Sequence, residues 1–368
     1  MTRLIDLVAG ARPNFMKIAP IVRALQARAD AFRFRLVHTG QHHDHEMSAV
    51  FFEELGIPAP DVHMGAGGGS HARQTARIML AYEDVLLRER PDCTLVVGDV
   101  DSTLACALTA RKRQIPVAHV EAGLRSGDTT MPEEINRLAT DAISDWLFVT
   151  EPSGCENLRR EGKPEERIFF VGHVMIDNLM HQLGRLAQAD AAGFRSTSLR
   201  AGLPRYGVVT LHRPSNVDEP AVLAGIVAAL GELAAELPLV FPVHPRTRAS
   251  LQRAGLSLPP GVIDTQPLSF MDFLSLWKDA ALVLTDSGGL QEETTALGVP
   301  CITVRENTER PVTVEQGTNL LAGTRPAGIV RAARRALRGE VPAGRRPPLW
   351  DGQAAQRIVD HLARLLPA

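Results

Sequence analysis

The sequence predicts an α/β protein made of two doubly wound domains, each a parallel sheet covered by helices on both faces. Three observations carry this. Short, almost wholly apolar and β-branched runs alternate with longer segments of helical period, as in strands buried on both faces. That alternation runs through the first half of the chain and starts again in the second. The length, 368 residues, suits two domains of ordinary size better than one.

The elements follow in order. LIDLVA forms a strand over 4–9 and ends in Gly10-Ala11-Arg12-Pro13-Asn14, before a helix over 18–29. Further strands are expected at 34–39, 94–97, 117–120, 146–150 and 168–171, with a helix over 103–113. The second half repeats the pattern with strands at 208–211, 239–243, 262–264, 282–285 and 301–304. The domains therefore read as 1–172 and 173–350. A polar, Gly- and Pro-rich stretch at 339–348 leads to a last helix, 353–366. The C-terminal segment, 351–368, is able to pack on either domain and to fold back on the first. In open α/β sheets ligands sit beyond the carboxyl ends of the strands, so two such domains facing each other would place a site in the cleft between them.

Composition removes several classes of function. Hydrophobic residues make up 45% and charged residues 22%, the balance of a globular protein in water. Lys and Arg total 40 against 42 Asp and Glu, a net charge of −2, so there is no basic surplus for nucleic acid or an anionic membrane. Cys93, Cys106, Cys155 and Cys301 are scattered without a CxxC pair, which fits free thiols in a reducing compartment rather than a disulfide or zinc framework. Residues 1–3 run straight into the first strand, so no signal peptide is expected. The apolar stretch 221–241 is broken by Glu232, Glu236 and Pro238, so it is not a membrane span. The cytoplasm is the expected location.

The richest segment is LVLTDSGGLQEETTALGVPCIT, a strand, a Ser-Gly-Gly turn, a helix and a second strand. Gly288 and Gly289 carry no Cβ to crowd the first backbone N–H groups of the helix. Those amides and the positive end of the helix suit a phosphate or pyrophosphate. Glu292 and Glu293 lie one turn further on, within reach of a sugar hydroxyl. There is no GxGxxG and no GxxxxGK[ST], which argues against NAD, FAD and P-loop chemistry. Arg12 and Lys17, after the first strand, can flank a diphosphate. His42, His43 and His45 lack complementary ligand spacing, so no metal is expected.

Carboxylates stand just past other strands. Val97-Gly98-Asp99 is followed by Asp101-Ser102-Thr103, and His119-Val120-Glu121 by Ala-Gly-Leu-Arg. MPEEINR adds Glu133 and Glu134, and Thr210-Leu211 runs into His212-Arg213. Acids crowded in a closed cleft repel one another, so some hold a proton at neutral pH and can take and return protons. Asp101 reads as a helix cap rather than a catalyst. Glu133 and Glu134 also suit the dipole of the helix they open. Glu121 has little structural reason to follow an apolar strand.

Together these motifs give the chain a specific likeness. GARPNFMKIAP, TGQHHD, VVGDVDSTLA, PVAHVEAGLRSGD, MPEEINR, TLHRPSN, FPVHPR, LTDSGGLQEE and RENTERPVT occur in an order and spacing that resembles the bacterial non-hydrolysing UDP-N-acetylglucosamine 2-epimerases over nearly the whole length. The resemblance implies a GT-B fold of two Rossmann-like domains, with UDP held mainly by the second. It implies Ser287, Gly288 and Gly289 for the diphosphate, Glu293 for the ribose, and Leu268 and Phe273 near the uracil. Arg12, Lys17, His212 and Arg310 match residues around the diphosphate and sugar. Asp99, Glu121 and Glu133 match acid/base carboxylates. The implied reaction interconverts UDP-GlcNAc and UDP-ManNAc through 2-acetamidoglucal, with neither metal nor redox cofactor. The likeness also implies a homodimer and a second UDP-GlcNAc acting as activator, near Gln41, His42 and Arg77. Asp44 stands where regulated relatives tend to have Gln, and Pro214-Ser215-Asn216 where many have Arg-Glu-Asn. The nearest rival reading is a sister 2-epimerase acting on a UDP-2,3-diacetamido-glucuronate-type sugar. A remoter rival is a nucleotide-sugar sensor without turnover.

Overall fold

The computed structural model describes residues 2–41, 52–53, 55–190, 193–340 and 344–367, and leaves the Arg12 side chain undescribed. It divides the chain into two compact units, Met1–Asn178 with Pro348–Ala368, and Leu179–Pro347. The division falls inside the continuous helix Val174–Gln188, a few residues beyond the position 172 read from the sequence.

The first unit is built on a parallel sheet of seven strands in the order β3-β2-β1-β4-β5-β6-β7. These are β1 Arg3–Ala9, β2 Phe32–His38, β3 Val62–His63, β4 Cys93–Val97, β5 Val117–Val120, β6 Trp146–Val149 and β7 Ile168–Phe170. Alternation along β1 and β4 feeds two cores. Ile5, Leu7, Leu95 and Val97 face one core, and Val8 and Val96 the other. The first core is completed by the helix Arg12–Gln26 and by Ala354, Ile358, Val359 and Leu362 of the last helix, Ala354–Leu365. The returning segment is pinned by buried Trp350, whose Nε1–H donates to the Thr150 carbonyl at 3.2 Å.

The second unit is a parallel sheet of six strands in the order β10-β9-β8-β11-β12-β13. Its strands are β8 Gly207–Thr210, β9 Leu239–Pro242, β10 Val262–Thr265, β11 Leu282–Thr285, β12 Cys301–Thr303 and β13 Asn319–Leu321. One main core, from Val209 to Ala336, packs the helices Pro220–Ala234 and Pro326–Leu337 on it. Among the described residues, no helix is long and apolar enough to cross a membrane.

In each sheet the strand order reverses beside the first strand, which makes a topological switch point, the usual seat of ligands. In the first sheet it lies between β1 and β4, whose carboxyl ends lead into Gly10-Ala11-Arg12 and Gly98-Asp99. In the second it lies between β8 and β11, which lead into His212-Arg213 and Asp286-Ser287-Gly288-Gly289. Both switch points carry residues singled out from the sequence.

Candidate active site

In the first unit, β4 and β5 run side by side, with Val97 opposite Val120. Asp99 and Glu121 therefore leave adjacent strands. Glu121 is buried and has φ +71°, a left-handed conformation that costs a residue with a Cβ on the order of 1–3 kcal/mol. Its Oε2 lies 2.5 Å from Lys17 Nζ, one turn into the helix Arg12–Gln26. The lysine thus meets Glu121 within its own unit. Gly98 sits against the pair at φ +69°. A Cβ there would lie 3.0 Å from Lys17 Nζ, so the glycine leaves room for the ion pair to form.

Asp99 is held from the helix Pro132–Ile143. Arg137 donates to its Oδ2 from Nε at 3.0 Å and approaches with Nη2 at 2.7 Å. Asn136 Nδ2 bonds the Asp99 carbonyl at 2.9 Å and Asp101 Oδ1 at 3.2 Å. Arg137 Nη1 also reaches Glu134 Oε2 at 2.5 Å. Glu134 is not free to titrate near neutrality. Burial pushes its carboxyl up, but the Ser126 and Gly127 amides and Arg137 outweigh that and hold it below the usual range. Glu133, one residue earlier, is half-buried, and its carboxylate makes no hydrogen bond or ion pair with any described residue. On this helix Glu134 is tied to the Ser126 and Gly127 amides and to Arg137, whereas the Glu133 side chain is not. Asp99 and Glu121 follow adjacent paired strands, and Glu133 opens the helix whose Asn136 and Arg137 hold Asp99.

Asp101 differs from the sequence expectation. The helix Asp101–Lys112 is capped by Val100, and Asp101 lies inside its first turn. Its carboxylate accepts from Gln74 Nε2 and meets His71 Nδ1, both at 2.8 Å, so it gathers side chains instead of capping. Gln41 Oε1 accepts from the Ser102 amide at 3.0 Å and the Ser102 hydroxyl at 2.7 Å. Arg77 donates to the carbonyls of Gly67 and Gly68 in the glycine-rich loop before its helix. His42 lies outside the described residues.

In the second unit, Asp286 is the hub. It is fully buried at the end of β11 and accepts from the backbone N–H of Arg213 at 2.9 Å and of His212 at 3.1 Å. It also accepts from Asn216 Nδ2 at 3.1 Å, and His212 Nδ1 lies 3.1 Å away. Burial pushes this carboxyl up, but the His212 side chain and the backbone donors more than offset that and keep it ionised. The aspartate thus ties the end of β8 to the turn after β11 and orients the half-exposed His212 ring. After Arg213, Pro214–Val217 forms a short helix with Pro at its start.

Ser287 caps the helix Gly288–Leu297. Neither Gly288 nor Gly289 has a positive φ, and a Cβ on either would meet nothing within 4 Å. Neither backbone strain nor packing accounts for the two glycines. Both leave the helix's first amides unobstructed. On the same helix, buried Glu292 is ion-paired with Arg310. Glu293, also buried, is pushed up to about 8 by desolvation and by Glu292 beside it. Arg305 clasps Glu309 at 2.7 and 2.9 Å and holds that carboxyl down near 2 against the effect of burial. Arg213 lies 3.9 Å from Glu309. Leu268 and Phe273, both half-buried, follow β10, two places from β8 in the sheet.

Sequence reasoning missed Asp286, Asn136, Arg137, His119 and Asp141. Asp286 stood inside the quoted LTDSGG, where a buried acid between a strand and a phosphate turn was the available signal.

A family model described as UDP-N-acetylglucosamine 2-epimerase matches residues 23–363. A UDP-N-acetylglucosamine 2-epimerase of Methanococcus maripaludis is 38% identical over 362 residues, 97% of either chain. A UDP-2,3-diacetamido-2,3-dideoxy-D-glucuronate 2-epimerase of Pseudomonas aeruginosa is 42% identical over 363 residues, 97% of this chain and 99% of that one. The crystal structure of the Methanocaldococcus jannaschii UDP-GlcNAc 2-epimerase, in complex with UDP-GlcNAc and UDP, superposes with a TM-score of 0.85 at 38% identity, covering 98% of this chain and 99% of that one.

Proposed function

The chain belongs to the UDP-N-acetylglucosamine 2-epimerase family, and on that footing we propose that it interconverts UDP-GlcNAc and UDP-ManNAc without releasing the sugar. The observation that carries this reading is the carboxylate set of the first unit. Glu121 is forced into left-handed backbone and paired with Lys17, beside Asp99 on the next strand. Glu133 stands without a partner among the described residues on the helix that grips Asp99. A glycosyltransferase or a sensor of similar fold needs a nucleotide seat but not this group of acids.

The C2 proton of the sugar is not acidic while C1 carries UDP. Anti elimination solves this. The C1–O bond breaks toward the diphosphate, a carboxylate takes the C2 proton, and the C1=C2 double bond of 2-acetamidoglucal forms. A proton is then returned to the opposite face of C2, and the UDP oxygen re-adds at C1. The second unit stabilises the departing diphosphate. The open amides of Gly288 and Gly289, with Ser287, Arg310 and His212, meet charge as it builds. Glu293 meets the ribose, and Leu268 and Phe273 the uracil. In the first unit Asp99, Glu121 and Glu133 move the protons.

Proton NMR in D2O with UDP-GlcNAc tests this. UDP-ManNAc carrying deuterium at C2 is the expected product. Asp99→Asn, Glu121→Gln and Glu133→Gln are expected to lower turnover by about a hundredfold or more while UDP affinity is retained. Free ManNAc, or no exchange at C2, would refute the reading.

One observation favours a second substrate: the relative acting on the diacetamido-glucuronate sugar is 42% identical, against 38% for the M. maripaludis enzyme. A larger kcat/KM for that sugar than for UDP-GlcNAc would reassign the substrate and leave the chemistry unchanged. We further propose activation by a second UDP-GlcNAc near Gln41, His42 and Arg77, which a hyperbolic velocity curve for UDP-ManNAc alone would refute. The proposed working form is a cytoplasmic homodimer. Leu80 and Leu87, exposed two turns apart on the helix His71–Arg88, and Ile135, exposed on Pro132–Ile143, supply apolar surface for it.

A further inference from the structure

Beneath the two strand-end carboxylates lies a buried ion pair that the reaction as described does not use. His119 of β5 and Asp141 of the helix Pro132–Ile143 are both fully buried. His119 Nδ1 lies 2.6 Å from Asp141 Oδ1, and Nε2 lies 2.8 Å from the Gly98 carbonyl oxygen. The other Asp141 oxygen accepts from the Gly123 amide at 3.0 Å and meets Arg125 Nη2 at 2.8 Å.

The protons can be counted from the partners. A backbone carbonyl only accepts, so Nε2 carries a proton. An ionised carboxylate also only accepts, so Nδ1 carries one too. Asp141 is ionised. Burial pushes its carboxyl up, but its hydrogen-bond and charge partners bring it below the usual range, and apart from His119 its other oxygen takes a guanidinium and a backbone N–H, both donors. A neutral ring would set a bare nitrogen lone pair against one of two acceptors.

The pair grips two points beside the carboxylates, the Gly98 carbonyl and the Gly123 amide. Gly98 immediately precedes Asp99, Gly123 follows Glu121 by two residues, and His119, on β5, precedes Glu121 by two. Gly98, Glu121 and Gly123 all have positive φ, at +69°, +71° and +80°. Turns of this kind persist when their surroundings over-determine them. We propose that His119, held as an imidazolium by Asp141, is a positioning residue for the epimerisation, clamping together the two turns that present Asp99 and Glu121. The proposal rests on the reading of those two carboxylates as the acid/base groups.

The test combines ring 15N NMR of histidine-labelled protein with the kinetics of Asp141→Asn, and His119→Gln assigns the ring signal. In the wild type both His119 nitrogens are expected to be protonated at neutral pH. In Asp141→Asn the ring is expected to become a neutral tautomer, with kcat reduced about a hundredfold and KM and UDP affinity within about threefold. His119→Gln keeps a donor toward Gly98 and is expected to retain more turnover than His119→Ala. A wild-type ring with one bare nitrogen would overturn the proposal. So would an Asp141→Asn enzyme whose kcat stays within about threefold of wild type. Should Asp141→Asn fail to fold, the wild-type spectrum decides. A wild type that incorporates no deuterium at C2 would remove the epimerase reading, and the ring spectrum would still decide the state of the clamp.

Discussion

At the scale of single residues, the candidate acids of the first unit and the groups that hold them differ in what the sequence disclosed. Glu121 and Asp99 stand out in the sequence because an acid just after an apolar strand has no packing reason to be there. Their supports do not. Arg137, Asn136 and Asp141 sit on a helix whose polar spacing looks like that of any solvated helix, and only the fold turns that face inward. Gly288 allows a prediction that separates fold from function. Its φ is not positive and a Cβ would meet nothing within 4 Å, so Gly288→Ala is expected to change stability by no more than about 0.5 kcal/mol. If the helix's first amides receive the diphosphate, the same methyl group stands in its way, and UDP affinity is expected to fall about tenfold, about 1.4 kcal/mol. Calorimetric titration with UDP beside a urea melt checks both. Unchanged affinity would move the diphosphate elsewhere.

At the scale of elements, most strands were legible, and the edge strands β3 and β13 were not. Val62–His63 and Asn319–Leu321 are short outer strands, too brief for an alternation pattern to stand out. The last helix was legible as a helix, but not what holds its start. Gln353 gives no side-chain cap. Asp177, distant in sequence, accepts from the Ala354 and Ala355 amides at 3.0 and 2.6 Å. Burial pushes the Asp177 carboxyl from 3.8 up to about 6, against the pull of those two amides. A carboxyl raised in the folded state binds its proton more tightly there than in the unfolded chain. Its contribution is fully present below about pH 4 and is lost as pH rises toward about 6. Asp177→Asn cannot ionise. The stability of wild type relative to this variant is therefore expected to decline between about pH 4 and about pH 6, and to stay level above that. Urea melts of both proteins across this range give the difference directly. A difference that rises over the window would show that the amides win over desolvation.

At the scale of the whole molecule, two parallel sheets were readable because buried strands leave continuous apolar runs. The boundary between the units was less so. It crosses the helix Val174–Gln188 at Asn178, where no glycine, proline or change of composition marks it. The second crossing was marked by the Gly- and Pro-rich stretch before Pro348, after which the chain rejoins the first unit. That connectivity has a consequence for stability. The first unit depends on its last segment for buried Trp350, Ala354, Ile358, Val359 and Leu362, and removing even one such aliphatic side chain costs about 2–5 kcal/mol. Removing all of them exceeds the stability of an ordinary domain. The second unit draws its main core from Val209 to Ala336 alone. A chain ended after Pro347 is therefore expected to lose turnover and the cooperative unfolding of the first unit, while UDP still raises the melting temperature of what remains. Differential scanning calorimetry with and without UDP makes the comparison. If UDP no longer shifts any transition, the second unit does not hold the nucleotide by itself. If turnover survives, the last helix is not the core element its burial indicates.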